Sequence, residues 1–314
     1  MTAPLFPAGI LVGHAHCPVA KSGVTIILPA APVVMAADVR GGGPGTRETD
    51  ALEPSTLVER VHGLVLAGGS VFGLAAADAV VLALARRGIG LPMGGGLAVP
   101  VIPSAILFDL ANGGDKSWAM AGGGDPPYQR LAAEALAALS SAPLTGAVGA
   151  GHGARAGSRA GGIGIASARL DGGGLVTVLM AVNSFGEVLD AIPDGGPVPM
   201  PKMAGPKMAG PKMAGPKMAG AGADLARAGG GNTSIGAIMT DVALSRPAAK
   251  RLAMMAHDGL ARSIRPIHTP FDGDSLFALS TAPETPARVD PVLLTELGTR
   301  AADCVARAVR LAVR

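Results

Sequence analysis

The segment Gly230-Gly231-Asn232-Thr233-Ser234-Ile235-Gly236 places a β-hydroxyl residue directly after two glycines and an asparagine. Inside a chain a threonine hydroxyl is a weak nucleophile. At a new N-terminus it gains an α-amino group whose reference pKa, about 7.7–8, suits it to accept the hydroxyl proton near neutrality. A break between Asn232 and Thr233 therefore creates nucleophile and base on one residue. Before the break, Thr233 Oγ can attack the Asn232 carbonyl and shift the acyl group from nitrogen to oxygen, leaving an ester for water to resolve. Taken alone, Gly-Asn-Thr is also read as a turn capping a strand or helix, because asparagine tolerates unusual backbone angles.

Asp272 and Asp274 are the second pair of interest. Two carboxylates at i and i+2 lie on one side of an extended strand, although Gly273 between them also permits a turn. One can accept a hydrogen bond from a terminal ammonium or the Thr hydroxyl while the other fixes its partner, and their proximity raises one pKa. The same Asp-Gly-Asp also fits a solvent-facing turn; no regular series of further oxygen ligands completes a calcium loop. His152 and His268 have no partners at metal-ligand spacing and are read as hydrogen-bonded rather than coordinating. Ser70 lacks the Gly-x-Ser-x-Gly flanks of a nucleophile elbow and is read as structural or substrate-lining.

The elements that must position these residues point to a sheet-rich core. Extended segments are expected at Ser22 to Leu28, Val33 to Asp38, His62 to Leu66, Ile163 to Leu170 and Leu175 to Asn183, with a largely apolar run from Val101 to Leu110. Glycine-rich stretches, 41–45 and 146–164, separate some of them. Helical spacing appears at Val71 to Arg87, Pro127 to Leu139, Ala221 to Ala228, Ser245 to Ser263 and Leu293 to Val313. In the fourth of these, Ala249, Leu252, Ala253, Ala256 and Leu260 form a buried stripe. Between residues 200 and 220 the unit Pro-Lys-Met-Ala-Gly occurs four times in succession. A five-residue period fits neither helix nor strand, so this reads as an exposed, mobile linker just before the proposed break. Gly-Leu-Val-Leu-Ala-Gly-Gly-Ser-Val-Phe-Gly, from Gly63 to Gly73, is neither a dinucleotide fingerprint nor a phosphate loop.

Composition bounds the remaining classes. The 314 residues are 49% apolar and 16% charged, enough for a substantial core and too apolar for disorder. With 47 glycines and few aromatic residues, that core is built from Ala, Val, Leu and Ile at close backbone approach. The net charge of +3 depends on the four lysines of the repeat, without which it is −1, and no basic stripe with aromatics argues for nucleic acid. No run is long enough to span a bilayer, and the N-terminal stretch lacks a secretory pattern, so a cytoplasmic location is expected. Cys17 and Cys304 imply neither a disulfide framework nor a metal site.

Several separated motifs together resemble the family of L-aminopeptidase/D-esterases, β-peptidyl aminopeptidases and nylon-oligomer hydrolases. They are Asp38-Val39-Arg40-Gly41-Gly42, Leu66-Ala67-Gly68-Gly69-Ser70-Val71-Phe72-Gly73-Leu74, Gly149-Ala150-Gly151-His152-Gly153-Ala154, Asn183 in Ala-Val-Asn-Ser-Phe-Gly, Asn232-Thr233, and His268 through Phe277. The resemblance implies an α+β fold, a four-layer αββα sandwich like that of N-terminal-nucleophile hydrolases but with its own connectivity. It implies one catalytic domain, 1–314, divided into an α chain 1–232 and a β chain 233–314, and homo-oligomers, commonly tetramers. Thr233 would be the nucleophile, Asn183 an oxyanion donor, and Asp272 and Asp274 the paired carboxylates. No metal or organic cofactor is expected; the substrate is a small peptide, amide or ester with a free amino terminus. Two positions depart from the pattern. The family's lysine would fall within Ser158-Arg159-Ala160, where Arg159 supplies charge but no proton-transfer base, and Phe108 stands where the nylon-oligomer branch has a tyrosine. The alternatives are 6-aminohexanoate-oligomer hydrolysis, acyl transfer to an amine, and an inactive structural oligomer.

Overall fold

Strand Leu175–Asn183 is buried at every position, which follows when a sheet is covered on both faces. Its even residues Val176, Val178, Met180 and Val182 enter one apolar cluster, and Leu179 and Ala181 enter another. The first cluster lies beneath two helices and the second lies between two sheets. The computed structural model describes residues 4–190, 232–282 and 289–313. The repeat at 200–220 and the expected helix at 221–228 lie outside them.

Counted in chain order, the strands of the two main sheets are β1 (Ile10–Cys17), β2 (Ser22–Pro29), β3 (Val34–Val39), β4 (Thr46–Arg47), β5 (Leu64–Ala67), β6 (Ser104–Ile106), β7 (Gly162–Arg169), β8 (Leu175–Asn183), β9 (Thr233–Thr240) and β10 (Ser275–Ser280). One sheet has the order β1-β2-β5-β6-β4 and the other β7-β8-β9-β10-β3. Pairing in the second sheet is antiparallel except for β9 with β10. Helices α1 (Ala76–Ala85) and α2 (Tyr128–Ala137) cover the first sheet, and α3 (Arg246–Ala261) and α4 (Pro291–Ala312) cover the second. The result is the expected α+β, four-layer αββα arrangement.

Local chemistry explains where the long helices start. The Ser245 side chain accepts the Ala248 amide, Asp290 accepts the Val292 amide at 3.0 Å, and each helix has proline in its first turn. The stripe expected on α3 is buried as a unit against the second sheet. Helices α3 and α4 approach closely at Gly259, where a Cβ would meet the Ala302 carbonyl and the Val305 side chain.

The structure refines the sequence reading at three points. Helical structure at 71–87 divides into a 3₁₀ segment, Ser70–Ala75, followed by α1, with Ser70 in left-handed conformation at φ 52°. Of the apolar run 101–110 only Ser104–Ile106 is strand, since prolines 100 and 103 remove ladder donors. Strands β1, β4, β9 and β10 had no assigned counterpart in the sequence. Among the described residues no helix is long and apolar enough to cross a membrane.

Candidate active site

Thr233 is the first residue of β9, the middle strand of the second sheet, and is only 2% exposed. Side chains alternate along a strand, so Thr233 shares the face of Ile235, Ala237 and Met239, which lie between the sheets. The β8–β9 register sets it opposite Asn183, the last residue of β8. The sandwich thus brings these two residues together at one end of the inter-sheet layer.

The Thr233 hydroxyl donates to the Asn232 carbonyl oxygen at 2.6 Å. Asn232 continues the parallel pairing of β9 with the chain before β10: it bridges Asp272, its amide donates to the Phe271 carbonyl, and its carbonyl accepts the Gly273 amide, both at 3.2 Å. The hydroxyl therefore rests on the carbonyl it would attack. In this unbroken chain the hydroxyl is directed to that carbonyl rather than to Asp272 or Asp274.

Both aspartates are fully buried. Asp272 Oδ2 accepts the Thr269 amide at 2.9 Å and the Thr269 hydroxyl at 2.7 Å, and Oδ1 accepts the Phe185 amide at 3.3 Å. Burial first and the neighbouring Asp274 second push its pKa up to about 6, with the Thr269 and Phe185 donors opposing. Asp274 Oδ1 accepts the Ser234 amide at 2.8 Å, fixing the residue next to Thr233. Its Oδ2 lies 2.8 Å from His268 Nδ1, which carries the proton when Asp274 is ionised. The His257 ring packs edge-on against His268 at 4.9 Å, and His257 Nε2 lies 3.0 Å from the Asp38 carbonyl. Burial lowers the His257 pKa to about 4. His268 and His257 were not recognised as site residues from the sequence; the signal was present, because His268 and Asp274 belong to one motif.

Asn183 is held by its whole amide. Oδ1 accepts the Arg155 amide and Nδ2 donates to the Phe108 carbonyl, each at 2.9 Å. Because Nδ2 carries two hydrogens, one stays available to a reacting oxygen. Phe108 thus contributes a main-chain acceptor to the site. Ser158 donates through its amide and hydroxyl to Glu187. Arg159 directs its guanidinium to the Val188 carbonyl at 2.6 Å and to Asp190 at 3.5 Å. Ser70 donates its amide to the Leu107 carbonyl.

The Asp38–Gly42 motif lies along 269–274: Arg40, Gly42 and Gly43 donate their amides to the Asp274, Thr269 and Asp272 carbonyls at 2.7, 3.1 and 2.8 Å. A cleft of about 180 Å³ at the Pro29–Pro32 turn is at the other end of the sheets and includes none of these residues. No group of three or more His, Cys, Asp or Glu among the described residues is arranged to hold a metal ion.

The sequence profile of peptidase family S58 matches residues 8–314. The chain is 45% identical over 302 residues to an uncharacterized aminopeptidase of Mycobacterium tuberculosis (strain ATCC 25618 / H37Rv), covering 91% of this chain and 84% of that one. It is 32% identical over 286 residues to the 6-aminohexanoate-oligomer endohydrolase of Kocuria sp. (strain KY2), covering 88% and 74%. Among solved structures it is similar to the L-aminopeptidase D-Ala-esterase/amidase of Ochrobactrum anthropi, described as a new variant of the Ntn hydrolase fold. The TM-score is 0.67 at 23% identity, over 99% of this chain and 87% of that one.

Proposed function

The chain belongs to peptidase family S58, an enzyme of the self-cleaving N-terminal-nucleophile type, and from that premise we propose that it breaks its own backbone between Asn232 and Thr233. Thr233 then hydrolyses amides of small peptides or amino-acid amides that have a free amino terminus. The observation that carries this reading is the buried Thr233 hydroxyl, 2.6 Å from the carbonyl oxygen of the preceding residue and on a strand end opposite Asn183.

In the mature form the Thr233 amine takes the hydroxyl proton, and Oγ attacks the substrate carbonyl. The Asn183 N–H not used by Phe108 stabilises the oxyanion, a contribution that grows where water is excluded. The amine product leaves, and water resolves the acyl-enzyme and restores the hydroxyl. Asp274 holds Ser234, and Asp272 provides a second buried carboxylate next to it. We assign the mature enzyme an α chain 1–232 and a β chain 233–314, assembled as a homo-oligomer, with a tetramer as the expected state.

Intact-mass analysis and N-terminal sequencing test the cleavage. The smaller fragment is expected to begin at Thr233, and Thr233→Ala is expected to stay one folded chain. A full-length active wild type, or cleavage at that bond in the alanine variant, overturns the reading. The second reading, hydrolysis of 6-aminohexanoate oligomers, is favoured by the 32% identity to the Kocuria enzyme. A panel of α-, β- and ω-amino amides assayed on the mature form separates the two. Adding a competing amine reveals any acyl transfer, and absence of acyl-enzyme with every substrate indicates a structural oligomer.

A further inference from the structure

Self-cleavage and turnover place negative charge on different oxygens. In turnover the charge develops on the substrate carbonyl, whereas in self-cleavage it develops on the Asn232 carbonyl oxygen. That oxygen accepts the Gly273 N–H at 3.2 Å, while Asn183 directs Oδ1 to the Arg155 amide and one Nδ2 hydrogen to the Phe108 carbonyl, keeping its second hydrogen for a substrate oxygen. We propose that the Gly273 N–H, aimed by the Gly41–Gly43 loop, is the oxyanion donor of self-cleavage, separate from the Asn183 donor of turnover. The proposal rests on cleavage at Asn232–Thr233.

The Asp272–Gly273 peptide group is held at both ends. Its carbonyl accepts the Gly43 N–H at 2.8 Å, and its N–H points at Asn232. A hydrogen bond accepted by the carbonyl of a peptide polarises that peptide and strengthens the bond its N–H donates. The fit over it is tight. A Cβ on Gly41, whose φ is 88°, would collide with the Asp272 carbonyl, and a Cβ on Gly273 would collide with the Gly43 and Pro44 backbone. Only glycine at 41 and 273 lets the two segments approach closely enough to fix the donor. This gives a role to the glycines of the Asp38–Gly42 motif, which have no part in turnover as described above.

In the step itself the Thr233 Oγ–C bond forms and the carbonyl electron pair moves onto the Asn232 oxygen, facing Gly273 N–H. As the C–N bond breaks, the proton lost from Oγ ends on the Thr233 nitrogen. Water then cleaves the ester, leaving the Asn232 carboxylate, the Thr233 amine and a restored hydroxyl.

The test uses the full chain with glycolic acid in place of Gly273, which replaces this N–H by an ester oxygen and leaves the shape intact. Removing one oxyanion donor slows reactions about 100- to 1,000-fold, so fragments should accumulate at least about 100-fold more slowly than in wild type. A cleavage rate within about threefold of wild type, in a chain with wild-type circular dichroism, overturns the proposal. If the ester chain does not fold, the decision passes to the uncleaved Thr233→Ala chain labelled with ¹⁵N-glycine. Strong protection of the Gly273 amide from hydrogen exchange upholds the donor, and exchange at the free-peptide rate removes it. Failure of wild type to cleave at Thr233 sinks the parent reading, whereas normal wild-type cleavage with an unslowed ester chain sinks this inference alone.

Discussion

Asn183 and Thr233 face each other across neighbouring strands, one ending β8 and the other beginning β9, with both side chains nearly inaccessible to solvent. Neither strand end is free to adjust by itself, because Asn183 also bonds the main chain at Phe108 and Arg155. Geometry and stability are therefore joined at this residue.

Asn183→Ala is expected to lower kcat by about 100-fold with a smaller change in KM, because an interaction made to the developing oxyanion is lost. It also removes the partner of the half-buried Phe108 carbonyl and of the Arg155 amide, so the melting temperature should fall, by an amount corresponding to roughly 1 kcal/mol. Steady-state kinetics and thermal unfolding read the two effects separately. An unchanged kcat removes Asn183 from the chemistry.

His268→Ala leaves one oxygen of a fully buried carboxylate without its partner. A loss of about 1–3 kcal/mol in unfolding free energy is expected, with slower self-cleavage because Asp274 no longer holds Ser234 firmly. Asparagine at 268 places a donor close to the position of Nδ1 and should recover part of the cleavage rate. Equal rates for alanine and asparagine variants count against this arrangement.

Acid should weaken the fold. His14 and His257 are each held down to about 4 by burial, so the unfolded chain takes their protons first as the pH drops below about 6.5. Stability is thus fully present above that value and is lost towards pH 4. Asp272, pushed up to about 6, runs the other way: it binds its proton earlier in the folded chain and stabilises it as the pH falls from 6 towards its ordinary value near 3.8. Burial also lowers His16 and His62 and raises Asp109, so four histidines act against two aspartates, and the melting temperature of the uncleaved Thr233→Ala chain should fall between about pH 7.5 and 5. Adding His14→Gln should flatten this profile, and adding Asp272→Asn should steepen it. A melting temperature that rises with acid contradicts the balance.

Two glycines at the α3–α4 contact should respond differently to alanine. At Gly259 the added Cβ meets the Ala302 backbone and the branched Cβ of Val305, which have little freedom to move. At Gly298 it meets chiefly the sulfur and terminal methyl of Met255, an adaptable side chain. Gly259→Ala is expected to cost about 1–3 kcal/mol and Gly298→Ala clearly less. Chemical denaturation of both variants checks the order.

Much of this organisation was legible in the sequence where a local rule governs. Ser245 before a proline and an apolar stripe marks α3, and Leu175 to Asn183 reads as a strand from its largely apolar, β-branched run. The strand bearing Thr233 was not legible. Thr-Ser-Ile-Gly-Ala-Ile-Met-Thr is buried on both faces, so it lacks the alternation of a half-exposed strand and is punctuated by Gly236. The start of α4 at Pro291 was available in the Asp290-Pro291 cap, but the apolar spacing begins later. At the site, the i,i+2 spacing drew attention to the aspartates, and the family resemblance singled out Asn183. The partnership of His268 with Asp274 depends on a turn at residues 268–273, with His268 itself at φ 55°, and on the approach of the 40–43 loop. No periodicity encodes either.

The central position of β9 bears on what becomes of the molecule after its backbone opens. Strands β9 and β10 lie between β8 and β3, so a C-terminal piece starting at Thr233 is flanked on both sides by the N-terminal piece. The halves cannot drift apart without tearing ladders on two edges. A break at Thr233 would thus change covalent connectivity within an undivided body, and the halves should co-purify until a denaturant dissolves the whole sheet.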